Sequence, residues 1–147
     1  MEPTNEEQTP RSARLDKVFF SQTSALKVQY DNNRPGIFLG IGKKADNGTW
    51  TWKTTKLKDT EAAQIIRLIQ GKAQTVDFYH TFQGEATKIQ VNKKDEDVYI
   101  KIEDHSKKID PAEQEVLRII LEETIRQAAR ERQPRAVQDP PEASMGE

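Results

Sequence analysis

Hydrophobic and polar residues alternate along several short stretches of the first half of the chain, as they do in strands that bury one face. The strands predicted in this way span residues 25–31, 36–44 and 49–57. Asn47-Gly48, between the last two, is a pair typical of a two-residue hairpin turn. From Asp59 to Gly71 apolar side chains recur at every third or fourth position instead, which predicts a helix.

The second half of the chain repeats this order. Strands are predicted over 75–82, 86–94 and 98–102, and a helix follows from Pro111, capped by Asp110, to Arg132. The apolar patterns of the two helices can be overlaid, which indicates an internal duplication. We therefore predict an α+β fold of two tandem units, each with three or four antiparallel strands followed by an α-helix. The two sheets are expected to pack with the helices between them.

The two ends of the chain differ from this body in composition. Residues 1–17 are mostly polar, and residues 133–147 combine three prolines with several acidic side chains. Segments with so few apolar residues cannot bury enough surface to offset the loss of conformational entropy on folding. We therefore expect disordered tails at 1–17 and 133–147 around one domain that spans 18–132.

The same alternation assigns which side chains of each strand point away from the core. The outward positions combine lysine and glutamine with aromatic rings, a mixture that suits single-stranded nucleic acid, because rings stack on bases and lysines follow the phosphates. The candidate binding residues are Lys27, Phe38, Lys44, Trp50, Trp52, Lys53, Tyr79, Lys88, Gln90, Tyr99 and Lys101. Two alternatives remain open at this stage: the two tryptophans can belong to the core, and scattered lysines can simply keep a sheet soluble.

The net charge of −1 conceals a division along the chain. Residues 15–109 carry 16 basic and 12 acidic side chains, whereas residues 110–147 carry five basic and nine acidic ones. A basic body with an acidic end can attract a polyanion to one face and repel it elsewhere. A solvated surface of mixed charges explains the same numbers equally well.

Several kinds of chemistry have no support in the sequence. Cysteine is absent and the two histidines, His80 and His105, have no ligand spacing around them, so neither a disulfide nor a zinc site is expected. Gly40–Lys44 lacks the first glycine and the final Ser or Thr of a phosphate-binding loop. No nucleophile motif and no apolar pocket with paired carboxylates is indicated. We therefore expect a protein that is not an enzyme, with no cofactor, metal or small-molecule substrate.

The sequence also bears on where the protein is expected to work. It contains no run of 18 apolar residues, so no membrane-spanning helix and no membrane partner are expected. The first residues have neither the apolar core of a secretory signal nor the Arg-rich, acid-poor composition of a transit peptide. The expected location is the cytoplasm or the nucleoid.

Four segments, taken in order, resemble the Whirly family of single-stranded DNA-binding proteins, which is related in fold to the PC4 coactivator. Val18–Val28 is similar to the family's first strand, and Gly36–Phe38 to the start of the next one. Trp50–Lys53 and Phe78–Gly84 resemble an aromatic-basic strand end and an aromatic-His segment of the family. The resemblance covers about residues 18–128, and it implies a Whirly-like fold and a homotetramer assembled through the helices.

Together these features predict a single-stranded DNA-binding protein with little sequence preference. Its expected role is to protect or organise strands during replication, recombination, repair or transcription. Two alternatives are an RNA-binding protein of the same fold and a module for oligomerisation or protein interaction that binds no nucleic acid.

Overall fold

The computed structural model describes residues 14–31, 34–82 and 84–132, which form two four-stranded antiparallel sheets and two helices. The N-terminal sheet consists of β1 (Arg14–Phe20), β2 (Ser24–Asp31), β3 (Arg34–Lys44) and β4 (Trp50–Leu57), and it is followed by α1 (Asp59–Ile69). The C-terminal sheet consists of β5 (Thr75–Phe82), β6 (Glu85–Lys94), β7 (Asp97–Ile102) and β8 (His105–Ile109), and it is followed by α2 (Pro111–Arg132). In both sheets the strands lie side by side in chain order. This confirms the predicted α+β class with two tandem strand–helix units.

The core lies between the two sheets. The inward side chains of the strands, among them Leu39 and Ile100, are fully buried together with Ile65 of α1 and with Leu117 and Leu121 of α2. Helix α1 contacts β4, β5 and β6, and helix α2 contacts α1 and strands of both sheets. Strand β8 also packs directly against β2 and β3. Each helix thus covers apolar surface that a single sheet would leave in water.

The first strand begins earlier than the sequence indicates. Residues 14–17 were expected to belong to the N-terminal tail, but they form the start of β1, where Arg14 is paired with Asp31 and Leu15 with Tyr30. Leu15 packs against the core, and this tertiary contact extends the strand into a segment that is mostly polar. The rest of the predicted N-terminal tail and all of 133–147 lie outside the described residues.

Val18–Val28, expected to resemble one family strand, is instead a hairpin. The chain reverses at residues 21–23, between β1 and β2. The Ser21 amide donates to the Ser24 carbonyl at 2.8 Å, and the Ser21 hydroxyl donates to the same oxygen at 3.1 Å. Small hydroxyl side chains satisfy the backbone of a tight turn in this way, which explains the break.

Strand β8 was not predicted from the sequence. Its inward side chains are His105, Lys107 and Ile109, and all three are buried. Two of these three are polar, so the strand shows no alternation of hydrophobic and polar residues. The buried Lys107 ammonium donates to the Lys108 carbonyl at 2.8 Å and lies 3.9 Å from the Glu113 carboxylate, which compensates for its loss of water.

Helix α2 begins at Pro111 with Asp110 as its cap, as predicted, and the structure adds a reciprocal bond from Glu113 that makes the cap a capping box. The Asp110 carboxylate accepts from the Glu113 amide at 2.8 Å, and the Glu113 carboxylate accepts from the Asp110 amide at 3.0 Å. Its Val116 and Ile119 side chains are exposed. Neither described helix is long and apolar enough to span a membrane.

Candidate nucleic-acid interface

The strand register places most of the predicted binding residues of the N-terminal sheet on its outer face, which points away from the core. Residues directly opposite each other on antiparallel strands share a face. The opposite pairs on this face are Gly40 with Lys27 and Thr54, Gly42 with Ala25 and Trp52, Lys44 with Trp50, and Phe38 with Gln29 and Lys56. Lys27, Phe38, Lys44, Trp50 and Trp52 therefore lie on one surface.

Three aromatic rings form a continuous group on this face, called here the aromatic cluster: Phe20, Trp50 and Trp52. The Phe20 and Trp50 rings meet edge to face with centroids 5.8 Å apart, and the two indoles are stacked at 6.2 Å with 25° between their planes. Phe20 is 63% exposed and Trp52 is 36% exposed. The tryptophans therefore lie outside the core, which resolves the alternative left open by the sequence.

Phe20 was not among the predicted residues. It follows the buried Phe19, so the sequence offers two adjacent phenylalanines with no indication of which one is exposed. The register supplies the answer: Phe20 lies opposite Ala25, in the same row of the sheet as Gly42 and Trp52. A prediction of the β1–β2 hairpin would have identified it.

The Trp52 indole packs against the backbone at Gly42, which has no side chain. A methyl group added at Gly42 would lie 2.9 Å from two carbons of the indole, far inside van der Waals contact, so only glycine allows the ring this position. The Lys27 ammonium lies 4.4 Å from the centroid of the same ring, within the range of a cation–π interaction. The Lys27 ammonium thus lies over the face of the Trp52 ring.

The outer face of the C-terminal sheet carries the other predicted residues. The opposite pairs are Tyr79 with Lys88, Gln90 with Lys101, and Asn92 with Tyr99. The Tyr79 ring is 64% exposed, and the Lys88 ammonium lies 5.7 Å from its centroid. Lys108, opposite Tyr99, joins this face as well; it was missed because β8 was not predicted.

This second face also contains carboxylates. Asp77 lies opposite Gln90, and Glu103 adopts a left-handed backbone conformation with φ of 55° in the β7–β8 turn. The Glu103 carboxylate accepts from the Lys88 amide at 2.7 Å. The rings of the aromatic cluster contact one another, and Lys27 lies over one of them, so the N-terminal sheet offers the larger stacking surface.

Lys53 is the one predicted residue that the structure does not bring to either outer face. It lies opposite Ile41, on the inward side of β4, and its ammonium is 3.8 Å from the Asp104 carboxylate of the C-terminal half. The His105 ring, 2.9 Å from that carboxylate, holds the pKa of Asp104 below its ordinary value through a hydrogen bond. Lys53 therefore links the two halves of the fold.

Both histidines occupy the junction between the sheets. His105 Nε2 lies 3.1 Å from the Thr51 hydroxyl, and His80 Nδ1 lies 2.7 Å from the Thr55 hydroxyl. His80 Nε2 is 2.9 Å from both carboxylate oxygens of Glu61 in α1, and because a carboxylate only accepts, this nitrogen is the donor. Inward side chains of β4 are thus bound to the C-terminal sheet, while its outward side chains carry the tryptophans.

Comparison with solved structures shows where this fold occurs elsewhere. The structure of the plant transcriptional regulator PBF-2 superposes with a TM-score of 0.56 and 13% sequence identity, over 77% of this chain and 81% of that one. The structures of MRP1/MRP2 from Trypanosoma bruciei superpose with a TM-score of 0.56 and 11% identity, over 84% of this chain and 99% of that one. No model of a known protein family matches the sequence, and no curated protein matches it. At these identities the likeness is one of fold.

The described residues contain no group of three or more His, Cys, Asp or Glu side chains able to hold a metal ion. The polar side chains at the sheet junction already bind one another, and those on the outer faces include lysines and amides together with the carboxylates of Asp77 and Glu103. The lysines and amides bind anions and polar edges, and rings beside them bind flat apolar surfaces.

Proposed function

We propose that the protein is a non-enzymatic binder of single-stranded nucleic acid, with DNA as the first ligand, which lies across the outer faces of both sheets. The observation that carries the proposal is the exposed aromatic cluster, seated on Gly42 with the Lys27 ammonium beside it. Exposed rings of this size leave apolar surface in water unless a ligand covers them. Stacking on a base supplies about 1–3 kcal/mol per base, and the adjacent lysines neutralise phosphates.

The groups on these faces also account for little sequence preference. Rings stack on any base, and lysines bind any phosphate, so neither reads the hydrogen-bonding edge of a base. The proposed role is therefore to protect or organise exposed strands in replication, recombination, repair or transcription, in the cytoplasm or nucleoid. The fold shared with the transcriptional regulator PBF-2 and the resemblance to Whirly proteins support this assignment.

We further propose that the protein acts as a homotetramer assembled through α2. Val116 and Ile119 lie three residues apart on this helix and are exposed, so they form one apolar strip. Covering this strip with the same helix of another copy would remove it from water and leave the outer faces of the sheets accessible.

Binding of fluorescently labelled oligonucleotides, measured by anisotropy at two salt concentrations, tests the proposed function. Single-stranded DNA is expected to bind more tightly than a duplex of the same length, and the affinity is expected to fall as salt rises. A single-stranded RNA of the same sequence separates the DNA-binding from the RNA-binding form of the proposal. Equal or tighter binding of the duplex, or no binding of any oligonucleotide, would contradict it.

A further inference from the structure

A cleft of about 1010 Å³ opens between β4 and β5, which are the edge strands of the two different sheets. Thr54 and Lys56 line it from the outer face of the N-terminal sheet, and Tyr79 and Thr81 line it from the outer face of the C-terminal sheet. The cleft therefore borders both proposed binding faces. Its volume is at the upper end of the range of pockets that hold small organic ligands, about 300–1,000 Å³.

The outward and inward sides of the cleft carry different charged groups. The outward side carries two exposed lysines, Lys56 and Lys58, and the widely exposed Tyr79 ring, while the half-buried Asp59 lines the cleft next to Lys58. The inward side carries Glu61, whose carboxylate is 12% exposed, with His80 beside it. A phosphate is attracted to the ammonium groups and repelled by the inner carboxylate, whereas a base can offer N–H donors to that carboxylate.

The inner end of the cleft is held in place by polar contacts that span three elements. His80 of β5 binds Thr55 of β4 and Glu61 of α1, and the Glu61 carboxylate also accepts from the Lys58 amide at 2.9 Å. These bonds fix the separation of the two edge strands. These polar contacts within the protein make the cleft a feature of the fold itself.

We propose that this cleft holds one nucleotide of the bound single strand, with its base inward and its phosphate at Lys56 and Lys58, so that the strand passes from one outer face to the other. The inference rests on the proposed function and deepens it, because it makes one continuous site of two separate faces. A strand long enough to reach both faces then binds far more tightly than a short one, since the second contact is intramolecular.

A length series of oligothymidylates, titrated against the full chain and a filled-cleft variant, tests this. Thr60 and Thr87 line the cleft but lie on neither outer face, so Thr60→Leu/Thr87→Leu narrows it without changing charge. The wild-type affinity is expected to rise steeply once the strand spans both faces. The variant is expected to bind short strands normally and to lose at least tenfold in affinity for long ones. Lys56→Ala, which removes one proposed phosphate contact, is expected to lower the affinity for long strands, and Lys72→Ala, at an exposed lysine outside the cleft, is its matched control.

The outcomes separate the two proposals. If the filled-cleft variant, folded by circular dichroism, shows the wild-type length dependence, the cleft does not carry the strand, although the outer faces still bind. If no oligothymidylate binds the wild type, the proposed function fails and the cleft assignment fails with it. A strand with one 4-thiothymidine gives a second readout: a cross-link is expected at Thr87, which lines the cleft and lies on neither outer face, and cross-links confined to the aromatic cluster and Tyr79 would overturn the inference.

Discussion

At the scale of single residues, the absence of a side chain is as informative as its presence. Gly42 has no positive φ and lies within a regular strand, so its backbone does not require glycine. What requires it is the Trp52 indole, which occupies the volume of a Cβ atom. A residue that contacts no ligand thereby determines where a stacking ring can lie.

Replacing Gly42 with alanine is expected to displace the Trp52 ring and to weaken binding of single-stranded DNA. The loss should approach the contribution of one stacked base, about 1–3 kcal/mol. Near-ultraviolet circular dichroism reports the change in the packing of the two indoles, and anisotropy titration reports the affinity. An unaltered spectrum together with unaltered affinity would show that the ring position does not matter.

Adjacent residues on β5 provide a contrast between stability and binding. His80 faces inward and Tyr79 outward. His80→Ala removes a partner of the Thr55 hydroxyl and one of the two partners of the Glu61 carboxylate, which should cost about 1–3 kcal/mol of unfolding free energy. Tyr79→Ala should change stability little but weaken binding of single strands. Urea unfolding and anisotropy titration of both variants check this, and the reverse pattern would contradict the assigned faces.

At the scale of elements, alternation predicted the existence of most strands but not always which face is buried. In β4 both sets of side chains contain polar groups: Trp50 and Trp52 alternate with Thr51 and Lys53. Hydrophobicity alone favours burying the tryptophans. The structure buries Leu57 and Thr55 instead, because inward polar groups of β4 find partners on the C-terminal sheet. Such long-range contacts are not encoded in local periodicity, which is why β8 and the role of Lys53 were also missed.

Two lysines that the sequence treats alike are expected to behave differently. Lys101 is exposed on the outer face of the C-terminal sheet, so Lys101→Ala should reduce the slope of log affinity against log salt by about 0.7, the loss of one phosphate contact. Lys53→Ala should leave the slope unchanged, because Lys53 faces inward towards Asp104. Equal effects of the two substitutions on the slope would contradict the assignment of the binding site to the outer faces of the sheets.

At the scale of the whole molecule, the duplicated architecture and its two helices could be predicted, whereas the site could be predicted only in part. Ten of the eleven candidate residues lie on the two outer faces. They could be predicted because alternate side chains of a strand point to opposite faces of the sheet. The cleft between β4 and β5 could not be found in this way. It exists only because two edge strands from different sheets face each other across α1.

A charge placed on the exposed side of α2 tests the proposed homotetramer. Ile119→Glu places a charge in the exposed apolar strip of α2, so the variant should sediment and scatter light as a smaller species than the wild type while keeping its circular dichroism spectrum. Ala112→Glu, an exposed position in the first turn of the same helix, is the control and should leave the assembly intact. A wild-type protein that is monomeric at micromolar concentration would contradict the proposed tetramer.

The chain-order arrangement of strands in both sheets has a consequence for how the protein folds. Every pair of neighbouring strands is joined by a short connection, so each hairpin closes a small loop at low entropic cost. Proteins dominated by such local contacts fold rapidly. Each half can therefore assemble its own sheet early, and the contacts of Thr51, Lys53 and Thr55 with the C-terminal half form when the halves dock. We therefore expect that removing those contacts would raise the unfolding rate more than it lowers the folding rate.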